Sequence, residues 1–275
     1  MMRAIKAIVV RNLKNFSRDK MKLFFTLLIS VTFLFIFSFV MKSAAIGVEK
    51  PLNYLITGII IMTVFQSALS NSMNTLEDIS SGFMKEILVS PVDRWQISIG
   101  QILSSSIIAV FQGLLIMVMA LFMGLKIDLV HFIEMCGFMV IVGITFSSIG
   151  LYLATLAKSS TTFQLMINVF VMPLTFLSGA YIPITVMPKF LQPIVLINPL
   201  SYTTAIFRYI SLQMETLSAA ELVKSGVAFS VNNFTILPYM GLFIILAICL
   251  TFFALCVYQF NKADFSCVQV FEYRH

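Results

Sequence analysis

Long runs of this chain carry no Asp, Glu, Lys or Arg, and their spacing sets the first expectation. Seven such runs approach or exceed the roughly 20 apolar residues a helix needs to cross the hydrocarbon core. They are 23–41, 51–76, 95–125, 135–157, 159–188, 190–207 and 225–261. The sixth differs, because Pro193 and Pro199 each remove a helical hydrogen bond and push the preceding residue out of the helical region. Broken backbone at membrane depth has to be buried in protein or line a wet cavity, as a re-entrant hairpin does. Six spans therefore remain. The first run, at 19 residues, is too long for the apolar core of a cleaved signal peptide, and Ser43-Ala44-Ala45 is a weak cleavage site.

Composition agrees. Apolar residues make up 59% of the 275 positions and charged residues 11%, which excludes a water-soluble fold. The expected architecture is an all-α integral membrane protein, with residues 1–275 forming a single transmembrane domain. Four cysteines, Cys136, Cys249, Cys256 and Cys267, contain no C-x-x-C pair and imply neither a disulfide framework nor a metal site.

Charge orients the chain. Arg3, Lys6, Arg11, Lys14, Arg18, Lys20 and Lys22 precede the first span, and such a cluster faces the cytoplasm. Six crossings then place both termini inside, in the plasma membrane of a prokaryote. On that topology twelve basic residues lie on the cytoplasmic side against six outside, Lys42, Lys50, Lys126, Lys189, Arg208 and Lys224. Within residues 1–22, Ile5, Ile8, Val9, Leu13 and Phe16 share one helical face and Arg3, Lys6, Arg11, Lys14 and Arg18 the other. This predicts an interfacial helix whose basic side meets anionic lipid or a partner protein, or a positive flank that only fixes topology. No nucleic-acid partner is expected.

The most charged cytoplasmic loop, 77–94, holds Glu77, Asp78, Lys85, Glu86, Asp93 and Arg94. A short helix is expected from about Leu76 to Val89. A turn and a new helix beginning at Ser90-Pro91, with Asp93 completing a capping-box-like start, should follow. The loop is either a solvated connector or a shaped docking surface.

Several chemistries are missing. No G-x-x-x-x-G-K-[ST] loop cradles a nucleotide phosphate, and H-E-x-x-H is absent. The span centres hold no ionisable residue, which argues against an ion-coupled carrier. His131 and Glu134, three apart at the start of the fourth span, read as interfacial, since two residues do not make a metal site. No catalytic residue is expected in this chain.

Neutral polarity is present instead. In the second span Thr63, Gln66, Ser67, Ser70, Asn71 and Asn74 fall within about 140° of helical arc. The fifth span repeats the pattern with Gln164, Asn168, Thr175 and Ser178. Such groups either join helices or line a path for an amphipathic solute. Small residues Cys136, Gly143, Ser147, Gly150 and Ala154 form one stripe of the fourth span, suited to close backbone packing.

Two motifs then carry a resemblance. In E-D-I-S-S-G-F-M-K-E-I-L-V-S-P-V-D-R-W-Q-I-S-I-G, Asp78, Gly82, Leu88, Ser90, Pro91, Arg94 and Gly100 fit an acidic-x3-Gly, Leu-x-Ser-Pro and Arg-x5-Gly pattern. In L-S-G-A-Y-I-P-I-T-V-M-P-K-F-L-Q-P-I-V-L-I-N-P-L-S-Y, Gly179, Pro183, Pro188, Leu191, Asn198, Pro199 and Tyr202 are in register. The chain resembles type-2 ATP-binding-cassette exporter permeases, in particular the drug-resistance-like branch. The resemblance implies two permeases, as a homodimer, with two copies of a separately encoded cytoplasmic ATPase that binds ATP and Mg2+. It implies a coupling helix at 76–90, with Glu77, Asp78, Gly82, Lys85, Glu86 and Arg94 meeting the ATPase. Gln66, Ser70, Asn71, Gln164, Asn168 and Thr175 would line the substrate pathway. Residues 183–202 would form the re-entrant hairpin at the outer mouth, with Pro183, Pro188, Asn198, Pro199 and Tyr202 as its gate. The cargo implied is a hydrophobic drug, lipid or lipid-linked glycan. The competing expectation is an ATP-independent secondary transporter or facilitator. Segment 208–233 is longer and more polar than that pattern expects, either an outer helical cap or a cargo-recognition element.

Overall fold

A computed structural model describes residues 2–43, 51–84, 87, 92–122, 125, 127–157, 159–231 and 234–262. The expected Lys85, Glu86 and Ser90-Pro91 features lie outside the described residues. The structure is helical almost throughout: α1 Met2–Arg18, α2 Lys20–Ser43, α3 Pro51–Ser70, α4 Met73–Ser80, α5 Arg94–Phe122, α6 Leu129–Leu156, α7 Ser160–Phe176, α8 Gln192–Ile197, α9 Pro199–Ser211, α10 Ala219–Lys224 and α11 Pro238–Lys262. Among the described residues, four stretches are long and apolar enough to cross a membrane: Asn53–Ile79, Arg94–Phe122, Leu129–Leu156 and Pro238–Lys262. The chain is a multi-pass, predominantly α-helical membrane protein.

The helix α3 is the centre of the bundle, packed by α2, α5, α6 and α9. Its stretch is 89% buried and is the least hydrophobic of the four, whereas Pro238–Lys262 is the most hydrophobic and only 17% buried. Lipid is the apolar phase here, so the helix with the most lipid contact needs the most apolar surface, and the enclosed one is free to carry polar groups.

Small residues set the packing distances, as the stripe on the fourth span predicts. A Cβ on Gly143 would stand 2.5 Å from Ser106 Oγ of α5, and one on Gly150 would stand 2.6 Å from Ser72 Oγ. On α3, a Cβ at Gly58 would come within 2.3 Å of the Ala180 carbonyl.

Two expectations change. Helix α4 ends at Ser80, and Gly82 follows with φ 79°, a left-handed conformation that closes a helix and favours glycine. The single helix expected from Leu76 to Val89 is therefore interrupted. Segment 208–233 is not one helical cap either. It holds a 3-10 turn at Met214–Thr216, α10 with a Ser218/Glu221 capping box, and β1 Phe229–Val231, which pairs antiparallel with β2 Phe234–Ile236 just beyond it.

Candidate functional site

Three polar assemblies surround the central helix. The first is a cleft of about 200 Å³ running along the α3 seam. Thr63, Gln66, Ser67, Ser70 and Asn71 line it from α3, Lys22, Thr26 and Ser30 from α2, and Gln112 from α5. Within the seam the roles divide. Asn71 is buried and donates back to Ser67 Oγ one turn earlier (3.0 Å), while Thr63 Oγ1 meets Ser30 Oγ of α2 (3.1 Å) and so joins two helices. Gln66 and Ser70 remain exposed and turn amide and hydroxyl groups into the cleft. The seam is glue on one flank and wall on the other.

Gln164 and Asn168 of α7 do not join this cleft; both are exposed on a separate helix face. Their neighbours Leu165, Val169 and Met172 are 61–68% exposed, so α7 presents a largely apolar face crossed by two amides. Thr175, at the other end of the stripe, is buried with its hydroxyl unpartnered among the described residues.

The second assembly is a charged knot where α1 meets α4 and α5. Ile8 packs on Gly100, where an added Cβ would lie 3.1 Å from the Ile8 side chain, and Phe16 meets Phe111 edge-on. Between them Asn12, 2% exposed, donates to Gln101 Oε1 and Ser104 Oγ, each at 2.7 Å. Arg11 forms an ion pair with Asp78 of α4 and lies over the Phe83 ring at 4.6 Å, while Gln101 donates to the same carboxylate at 3.3 Å. Helix α1 thus rests its apolar face on α5, and one of its basic residues is committed within the chain. Arg3, Lys6, Lys14 and Arg18 stay exposed. Of the expected coupling residues, Asp78 is held in this knot, Glu77 is exposed, and Gly82 forms the left-handed turn. Arg94 instead donates to the Asn261 carbonyl (3.1 Å), a cation at the C-terminal end of α11.

The third assembly explains how the proline-rich segment is held. Pro193 and Pro199 sit in the first turns of α8 and α9, where a missing N–H has no helical partner to lose, so they start helices rather than kink one. Helix α7 ends near Phe176 and turns at Gly179 (φ 80°), leaving carbonyls without helical donors. The side chains of α9 and its cap fill them in sequence. Asn198 donates to Leu174 O (2.8 Å), Ser201 to Leu177 O (3.3 Å) and Thr204 to Ser178 O (2.6 Å). Arg208 Nη2 reaches the Gly179, Ala180 and Tyr54 carbonyls at 3.2–3.4 Å. Residues 201, 204 and 208 lie on one helical face, so one helix caps the end of another. Tyr202 ties α9 back to Leu196 O (2.7 Å), and Pro183 and Pro188 carbonyls accept from Val186 and Leu191 in the two 3-10 turns.

Arg208 is a correction to the charge count. It reads as an outer-loop cation, yet it is 1% exposed, and its guanidinium carbon sits 3.3 Å from the centroid of the Tyr54 ring. Burial pulls its pKa down and Tyr54 pulls it back up. Sequence alone gave no cue, because a polar segment follows it directly. Asn12, Gln101 and Gln112 were also missed; each is an isolated amide with no seam around it.

Elsewhere the described residues bring Glu215 beside His131 and Glu134. His131 Nε2 lies 3.4 Å from Glu215 Oε1, although the two are far apart in sequence. Burial first, then Tyr239, Glu215 and Glu134, raise the pKa of the neighbouring Tyr209 phenol.

Residues 3–212 match the family described as ABC-2 type transporter. A putative transport permease, ycf38, of Cyanophora paradoxa is 30% identical over 187 residues, covering 66% of this chain and 63% of that protein. The probable multidrug ABC transporter permease YbhR of Escherichia coli K12 is 29% identical over 160 residues, 58% of this chain and 43% of the relative. The inner membrane transport permease YadH of the same organism is 26% identical over 212 residues, 75% and 82% of the two chains. The matched part thus spans less than two thirds of the first two relatives. With the family match extending from α1 to the end of α9, the chain belongs to the ABC-2 type transporter family.

Proposed function

We propose that this permease is half of an ATP-driven exporter for a hydrophobic or amphipathic solute, and that two copies assemble with two cytoplasmic ATP-binding-cassette ATPases. The observation that carries this reading is the cleft beside α3, where Gln66 and Ser70 present neutral polar groups in a lining whose one charged side chain is Lys22. Such a lining suits a solute with one polar end and offers no acidic counter-ion for a metal or a strongly cationic cargo. On this reading α2 and α7 complete six crossings with the four longer apolar stretches, and both termini face the cytoplasm.

Helix α4 and the Gly82 turn form the surface that meets the ATPase, and Lys85 and Glu86, outside the described residues, belong to the same contact. Asp78 acts from behind that surface, through Arg11 and Gln101, so a push on α4 is transmitted to α1 and α5 together. The two permeases then tilt as rigid bodies and open the cleft outward, past the α8–α9 hairpin. ATP and Mg2+ act on the partner ATPase.

Reconstitution tests this directly. The purified chain is placed in proteoliposomes alone or with an ATP-binding-cassette ATPase from the same organism, and movement of a fluorescent amphiphile is followed. Transport should need both proteins and ATP. Flux by this chain alone that follows an ion gradient would overturn the proposal in favour of a secondary carrier.

A further inference from the structure

At the end of the bundle remote from α1, two separate elements bring together an imidazole and two carboxylates. His131 and Glu134 stand one turn apart in the first turns of α6. Glu215 reaches them from the 3-10 turn Met214–Thr216, which follows Gln213 in a left-handed conformation. One potential ligand atom from each residue lies within 4.8 Å of the other two. We propose that these three side chains form a binding site for a divalent cation of the zinc type, clasping segment 212–217 to the start of α6.

Geometry and ligand chemistry carry the assignment. A tetrahedral ion with bonds of about 2.1 Å holds its ligand atoms roughly 3.4 Å apart. The His131 and Glu215 atoms already stand 3.4 Å apart. Glu134 and Glu215 are exposed, so their side chains have rotamer freedom to close the remaining distance. Imidazole beside carboxylate selects borderline cations such as Zn2+ over Mg2+ or Ca2+, which take oxygen ligands throughout. The ring is not committed elsewhere: Nδ1 is buried and has no hydrogen-bond partner among the described residues. Three protein ligands leave a fourth position for water, as in an open zinc site. The ion would fix the turn at 214–216 to the start of α6.

The test needs neither ATPase nor cargo, so its outcome is separate from that of the transport proposal. The full chain, purified in detergent through a tag without histidines and stripped with chelator, is titrated with ZnCl2 against a chromophoric zinc indicator. The wild-type chain should bind one Zn2+ per chain, with Mg2+ and Ca2+ failing to compete at a hundredfold excess. H131Q, E134Q and E215Q should each weaken binding by tenfold or more. E221Q, an exposed glutamate on the neighbouring α10, should leave it unchanged. Zn2+ should also raise the melting temperature of the wild-type chain and not that of E215Q, with circular dichroism confirming that each variant is folded. Equal affinity in the wild-type, H131Q and E215Q chains, or no saturable binding by the wild-type chain, would overturn the site.

Discussion

The two ends of the bundle are tied by different chemistry. At the α1 end, side chains bond to side chains: Arg11 to Asp78, Gln101 to Asp78, and Asn12 to Gln101 and Ser104. At the α9 end, side chains bond to backbone, with Asn198, Ser201, Thr204 and Arg208 satisfying the carbonyls that close α7. Side-chain partners can be exchanged, because each has rotamers and competing groups within reach. Carbonyls fixed at a helix end have no alternative in apolar surroundings. On the proposed reading, the first arrangement suits an end that responds to the ATPase, and the second suits a gate that moves as one body.

The largest effect should come from breaking the backbone-tied end. Arg208→Met keeps volume but strips the donor from three carbonyls, and should lower stability by on the order of 3 kcal/mol. A fall in detergent melting temperature measures it, with Arg208→Lys recovering part of the loss. If Arg208→Met melts like the wild-type chain, the fixed character of that end is wrong.

Gly58→Ala attacks the same end sterically. Its Cβ meets the Ala180 carbonyl at 2.3 Å, so about 1–3 kcal/mol should be lost and the α3–α9 contact loosened, read by faster proteolysis between α7 and α9.

At the exchangeable end, Asp78→Arg should cost about 1 kcal/mol and uncouple ATP hydrolysis from transport. Combining it with Arg11→Asp should restore both melting temperature and coupling, because the pair is regenerated in reverse. Recovery of stability without coupling would show instead that Asp78 touches the ATPase itself.

The smallest change in stability, within about 0.5 kcal/mol, is expected for Gln66→Leu, since its amide faces the cleft. Cargo preference in the vesicle assay should nonetheless move toward more apolar amphiphiles. Unaltered preference would return Gln66 to a packing role.

The sequence made the helical membrane architecture legible because charge-free runs of spanning length have few other physical explanations. Pro193 and Pro199 were equally readable, as their ring geometry is local. The division of the α3 seam was not legible, because periodicity places Thr63, Gln66 and Asn71 on one face without saying which neighbour covers which edge. Arg208 failed for a related reason: its partners are carbonyls of Tyr54 and Gly179, and backbone acceptors leave no signature in side-chain pattern. Glu215 met His131 across a fold that no spacing rule connects.

The enclosure of α3 has a consequence for how the chain is made. The stretch Asn53–Ile79 leaves the ribosome before α5, α6 and α9, three of the four helices that later surround it. For that interval a modestly apolar segment carries its polar flank without most of the helices that later cover it. The most enclosed helix is therefore made before three of its four partners, whereas Pro238–Lys262, the most apolar stretch, needs little packing to settle in lipid.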